Sequence, residues 1–187
     1  MKQKIVAIVG SLRRESLNLK LAQATKNLLL EQVDFEILEY HDVPLFNQDI
    51  EYPAPLAVQK VREIVKSADA VWFFCPEYNH FFPGVLKNLI DWLSRPISET
   101  EPQVLKRKYA AVCGITPGMT GTVIAMDHLV TLLSFLDMKL MNQPRLPIPN
   151  GYQQVTENGN LELTHSLPFL EKMAEEFLKF ITIPVGN

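Results

Sequence analysis

Three stretches of the chain are apolar at nearly every position: 4–9 (KIVAIV), 70–75 (AVWFFC) and 109–115 (YAAVCGI). Such short runs, without a polar face, predict strands covered on both sides, as in a parallel sheet. Weaker runs at 35–40 (FEILEY) and 138–141 (MKLM) predict two more. Between them, apolar residues recur at helical spacing and predict helices over 17–31, 56–67, 83–94 and 122–136. A last helix, over 166–181, gathers Leu170, Met173, Ala174, Phe177, Leu178 and Ile181 on one face, the stripe of a helix packed on a core. Strand and helix alternate throughout. That order predicts an α/β fold of three layers, a doubly wound five-stranded parallel sheet with helices on both faces. The stretch 142–165 breaks the rhythm with Pro144, Pro147 and Pro149, then Asn158-Gly159 between two strand-like pieces. It reads as a surface excursion with a small hairpin. With 187 residues, the whole chain, 1–187, is expected to form a single domain.

Charge and cysteine usage narrow the function classes. Eighteen Lys+Arg against 21 Asp+Glu leave a net charge of −3, so no basic field awaits a nucleic-acid backbone. No apolar run approaches the roughly 18 residues of a membrane span. The N-terminal apolar stretch is a buried strand, too short for a secretory signal. Cys75 and Cys113 are too few for a disulfide framework and lack metal-ligand spacing, so no metal site is expected. They read as reduced, buried thiols outside catalysis, in a cytoplasmic protein.

In doubly wound sheets, ligands bind outside the carboxyl ends of the strands, where strand order reverses. The loops after the first, third and fourth strands therefore carry the candidate chemistry. The first reads Gly10-Ser11-Leu12-Arg13-Arg14-Glu15-Ser16-Leu17-Asn18 and opens a helix. Glycine permits the sharp turn, and serine, arginine and a helix N-terminus together suit one phosphate group. The alternative makes Ser16 a helix cap and both arginines solvated charges. Neither Gly-Lys-Ser/Thr nor Gly-x-Gly-x-x-Gly is present, so this is not a Walker loop or a dinucleotide fingerprint. Glu39, ending the second strand, stands where an acid can hold a ribose, or is a surface charge. The third loop, Pro76-Glu77-Tyr78-Asn79-His80-Phe81-Phe82-Pro83-Gly84, is unusually aromatic. Tyr78 could line a flat ring while Asn79 and backbone amides meet its heteroatoms; Phe81 and Phe82 equally suit capping the core.

Gly10-Ser11-Leu12-Arg13 with Ser16 and Asn18, followed by Pro76-Glu77-Tyr78-Asn79 and Pro83-Gly84-x-x-Lys87-Asn88-x-x-Asp91-Trp92, resembles the NAD(P)H-dependent FMN reductase family. These are flavodoxin-like flavoproteins that include quinone, azo-dye and chromate reductases. The resemblance is clear over residues 4 to about 95 and architectural beyond. It implies FMN as cofactor and NADPH or NADH as hydride donor. Its phosphate falls on Ser11, Arg13, Ser16 and Asn18, and its ring and ribityl chain on Pro76, Glu77, Tyr78 and Asn79. The fourth-strand loop, Thr116-Pro117-Gly118-Met119-Thr120-Gly121, corresponds to the segment closing over the pyrimidine side, through Thr116 and Gly118. Two departures stand out. His80, Phe81 and Phe82 replace smaller residues and narrow the substrate opening, and Thr122 replaces a second glycine, which sends the backbone there along another path. His80 reads either as a proton donor or as an ordinary packing or surface residue.

The implied chemistry belongs to the flavin, so no protein catalytic residue is expected. Hydride would pass from NAD(P)H to the flavin and then to a small-molecule acceptor, a quinone or free flavin, by a ping-pong cycle. Two competing readings are an FMN-binding electron carrier without a nicotinamide site and a phosphate-ligand module without redox chemistry. Family habit also implies a homodimer or homotetramer. Within the helix over 83–94, Leu86, Leu89, Ile90 and Leu93 form the core stripe, leaving Val85 and Trp92 on a flank. That flank is expected to seat a second copy, or else to lie under the excursion at 142–165.

Overall fold

The computed structural model describes residues 2–182; Met1 and residues 183–187 of the expected domain lie outside that range. Strands β1 (Lys4–Val9), β2 (Asp34–Ile37), β3 (Ala70–Phe74), β4 (Tyr109–Ile115) and β5 (Lys139–Leu140) form a parallel sheet in the order β2-β1-β3-β4-β5. Helices α1 (Leu17–Leu29), α2 (Leu56–Ser67), α3 (Gly84–Leu93), α4 (Val123–Phe135) and α5 (Leu167–Phe180) lie where the apolar spacing predicts them.

Strand side chains alternate between two cores. Val6, Ile8, Val71, Phe73 and Val112 pack with Val61, Leu86, Leu89 and Leu129, so α2, α3 and α4 cover one face. Ile5, Ala7, Trp72, Phe74 and Ala111 pack with Leu21, Leu170 and Phe177, so α1 and α5 cover the other. Trp72 meets Phe177 edge-on with ring centroids 5.1 Å apart. Both rings are fully buried, and each such burial contributes about 1.5–3 kcal/mol. The winding reverses between β1 and β3, which opens a crevice at their carboxyl ends.

The stretch 142–165 is more than a surface excursion. Leu146–Ile148 returns to the sheet as β6, parallel to Cys113–Ile115, while β5 pairs only with Tyr109 and Ala110. Two short pieces therefore share one position along β4. Pro147 is tolerated there because an edge strand needs no donor on its open side. The hairpin contracts to one bridge, Val155 to Leu161, with Gly159 at a φ of 79° in its turn.

Trp92 is not on a free flank. It is fully buried, its Nε1 donates to the Pro44 carbonyl at 2.8 Å, and its ring meets Phe46 at 4.9 Å. Ala54 and Val58 complete this small cluster. Asn88 works beside it, donating to Pro44 O at 2.9 Å and accepting from Phe46 N at 2.7 Å. The motif on α3 thus fastens the irregular segment between β2 and α2 over the helix flank. A helical wheel counts periodic elements only, which is why it left that flank open.

The two thiols are free and buried. Cys75 N donates to Cys113 O at 2.8 Å, yet the side chains belong to cores on opposite faces of the sheet. Burial pushes both thiols far above the usual range.

Candidate functional site

The loops after β1, β3 and β4 meet in a cleft of about 120 Å³. Ser11, Arg13, Ser16 and Asn18 line it from the first loop, Pro76, Glu77 and Tyr78 from the third, and Thr116 with Pro117 from the fourth. The structure therefore brings eight of the ten expected residues together. Asn79 and Gly118 stand outside this lining, in exposed positions.

The first loop is held from both sides. Tyr40, buried beside β1, donates its hydroxyl to Val9 O at 2.5 Å, and Gly10 N donates to Phe74 O at 2.9 Å. Burial raises the Tyr40 hydroxyl well above the ordinary tyrosine range, with Cys75 and Tyr78 adding smaller contributions. A Cβ on residue 10 would sit 2.8 Å from Pro76 Cδ, so glycine lets the first and third loops touch. Ser16 is the N-cap of α1, accepting from Leu19 N at 3.3 Å. The Leu17 and Asn18 amides have no acceptor among the described residues, as the first turn of any helix dictates. Arg13 and Arg14 are exposed and form no ion pair among the described residues. The cap leaves the Leu17 and Asn18 amides open to an anion.

Asn18 has a second task. Its Nδ2 donates to Ile115 O at 2.9 Å, and its Oδ1 accepts from Ile115 N at 3.1 Å. The buried amide ties the start of α1 to the end of β4 and keeps the two phosphate-side and ring-side loops in register.

In the third loop, Tyr78 and Phe81 exchange backbone hydrogen bonds of 2.9 and 3.1 Å. Asn79 and His80 between them have φ values of 54° and 59°. This is a two-residue hairpin with both central residues in the left-handed region, which asparagine tolerates best. Asn79 is thus a turn residue. Glu77 lines the cleft and also caps the first turn of α4, its Oε2 accepting from Ala125 N at 3.1 Å. Thr122, the N-cap of that helix, offers no side-chain cap. His80 Nδ1 lies 3.5 Å from Glu77 Oε1, with the imidazole largely exposed, so His80 is a surface residue of the turn. Phe81 stacks beside His128 of α4 at 4.6 Å, while Phe82 is buried in the core as a cap.

The fourth loop is braced by β6. Thr116 N donates to Ile148 O at 3.0 Å, Asn150 N to Gly118 O at 2.9 Å, and Gly151 N to Thr116 O at 2.8 Å. Thr122 keeps a negative φ of −116° because Gly121, at 66°, takes the left-handed position. Tyr152, just beyond, lines the cleft. Periodicity and motif spacing missed it, and missed Tyr40 as the support behind the first loop; for Tyr152 a hint lay only in Asn150-Gly151 closing the proline-rich stretch.

The residues present suit FMN. Unpaired amides at a helix start, with Ser11 and Arg13, match a phosphate monoester. Tyr78 on one wall and Thr116 with Pro117 on another match a flat heteroaromatic ring.

Comparison with known proteins agrees. The chain is 34% identical over 181 residues to a 2-hydroxy-1,4-benzoquinone reductase from Burkholderia sp, covering 97% of each chain. It is 37% identical over 159 residues to an NAD(P)H-dependent FMN reductase from Pseudomonas aeruginosa, covering 84% of each. Among solved structures it resembles FerB, a flavoenzyme NAD(P)H:(acceptor) oxidoreductase from Paracoccus denitrificans, with a TM-score of 0.87 and 31% identity over 96% of this chain and 97% of that one. Residues 3–153, from the start of β1 through Tyr152, match the NADPH-dependent FMN reductase family. With the sheet order, the phosphate-ready start of α1 and the three-loop cleft in agreement, this chain belongs to that family.

Proposed function

We propose that this protein is an FMN-dependent oxidoreductase of the cytoplasm, formed as one domain and assembled as a homodimer or homotetramer. It takes hydride from NADPH or NADH and delivers it to a small acceptor, a quinone or free flavin, by a ping-pong cycle. The observation that carries this reading is the cleft itself: a charged, amide-rich phosphate end and an aromatic end, joined at the switch point between β1 and β3.

Bound FMN supplies the hydride chemistry. Ser11, Arg13 and the Leu17 and Asn18 amides hold its phosphate, while the Ser16 cap and the Asn18 tie fix those groups in place. Pro76, Tyr78, Thr116 and Pro117 form the walls, with Asn79 setting the turn and Gly118 anchoring its loop to Asn150. Glu77 positions rather than reacts, locking the third loop to α4. Donor and acceptor share the open side of the cleft beside the exposed Tyr78, so one leaves before the other enters. Tyr152 adds a second aromatic ring to the lining.

The test is a visible spectrum of the purified protein followed by anaerobic addition of NADPH or NADH. Flavin absorbance that bleaches with the nucleotide alone and returns with a quinone is the expected result. A colourless protein, or a flavin that bleaches only with a partner reductase, would overturn the proposal.

A further inference from the structure

A second cavity, of about 650 Å³, lies on the β2 side of the first loop. It shares Ser11 and Arg13 with the flavin cleft, so the two spaces adjoin across the phosphate end. Its floor is apolar, from Val9, Ile37 and Leu38, and its rim carries Arg14, Gln23, Glu39 and His41. Among the described residues, neither Arg14 nor Glu39 has an ion-pair partner, and their side chains make no hydrogen bond. A cavity for a bare anion would not set a carboxylate on its rim or an apolar floor beneath it. A ligand for this rim needs an anionic group, hydroxyls that donate to a carboxylate and a flat apolar face. The volume is that of an ordinary small-molecule site.

We propose that this cavity binds the purine nucleoside 5′-phosphate half of a dinucleotide whose other half reaches the flavin cleft. Arg14 pairs with the phosphate nearest this side, while Arg13 stands between the two spaces. Glu39, just past the end of β2, accepts the ribose hydroxyls, and the purine lies over Ile37 and Leu38 with Gln23 at its edge. His41 is exposed beside Asp42, at 3.3 Å, and closes the far end. Two sources carry this chemistry: the adenosine phosphate of a flavin dinucleotide, or that of the nicotinamide donor. In the second case Glu39 repels a phosphate on the 2′ position, which favours NADH over NADPH.

The inference rests on the flavin reading, so FMN content is fixed first from the visible spectrum. Calorimetric titration of FMN-loaded protein with 5′-AMP then tests the cavity itself. The expected result is saturable binding that weakens about tenfold or more in Glu39→Ala, with FMN retention unchanged. FMN-loaded protein that does not bind 5′-AMP, or binds it equally in the variant, overturns this inference and leaves the flavin reading intact. Displacement of FMN by excess FAD in the wild type but not in Glu39→Ala assigns the cavity to a flavin dinucleotide. Competition of 5′-AMP with NADH, together with a NADH preference that shrinks in Glu39→Gln, assigns it to the donor. Binding of 5′-AMP with neither response overturns the dinucleotide assignment.

Discussion

Replacing Asn18 with leucine isolates the tie between α1 and β4. Asn18 is almost fully buried, and its amide satisfies both backbone groups of Ile115, 97 residues away in sequence. Leucine is close in size, so little cavity or overpacking arises. What remains is the stranding of one N–H and one carbonyl, each costing about 1–3 kcal/mol. Added apolar burial returns part of this, leaving a net loss of about 2–4 kcal/mol. For a chain of this length that lowers Tm by roughly 5–15 °C. The first turn of α1 loses its register with Thr116 at the same time, so FMN affinity falls as well. Asn18→Asp makes the sharper comparison, because it keeps the acceptor for Ile115 N but sets a carboxylate oxygen against Ile115 O. Urea unfolding of the FMN-saturated proteins and an FMN titration read the two effects. If Asn18→Leu unfolds within about 0.5 kcal/mol of the wild type, the range of an ordinary surface change, the tie is not what joins these loops.

Other outcomes follow from the same geometry. Arg13→Ala should weaken FMN binding about tenfold or more while the fold persists, since a hydrogen bond to a charged group is worth roughly 1.5–3 kcal/mol; an unchanged titration removes Arg13 from the phosphate site. The double variant Cys75→Ser with Cys113→Ser should retain NADPH oxidation once folded and loaded with FMN, because both thiols are sealed in separate cores; loss of turnover in the loaded protein would contradict that. Tyr78, Phe81, Met119, Val123 and Ile124, on the third and fourth loops and the start of α4, are exposed apolar residues, of the kind a second copy covers. Light scattering should give at least twice the 21.3 kDa chain mass, and Ile124→Glu should lower it; a monomeric wild type refutes the assembly.

The parts legible in the sequence were those governed by local rules. Runs such as Ala70–Phe74, apolar on both faces, admit few structures other than central strands, and the helices announced themselves by spacing. Gly10, Ser11, Arg13 and Ser16 could be read because strand, glycine and helix start follow one another directly. The second task of Glu77 could not be read, because the group it caps, Ala125 N, belongs to α4 and no local pattern links them. Trp92 misled for a related reason: Pro44 and Phe46, which cover it, sit in a segment with no periodicity. Likewise Gly151 is small because a Cβ there would come within 2.8 Å of both Ile115 and Leu17 side chains. Contacts between irregular segments and distant residues are properties of the folded surface, and spacing along the chain does not encode them.

The broken fifth position of the sheet bears on how copies of this chain meet. An exposed strand edge is a template on which another chain can add hydrogen bonds and start a polymer. Here one edge consists of two residues of β5 and three of β6, with Pro144, Pro147 and Pro149 around the second piece. Proline offers no donor, and neither piece is long enough to seat an incoming strand. The opposite edge, β2, has only four residues, with Asp34 exposed and Glu36 paired to Lys4 at 2.8 Å, and is also too short to seat a long strand. The sheet is closed to growth at both ends. Assembly of this protein is then left to helices and loops, and where it uses the loops after β1, β3 and β4, which frame the cleft, joining subunits and shaping the acceptor's doorway become one and the same task.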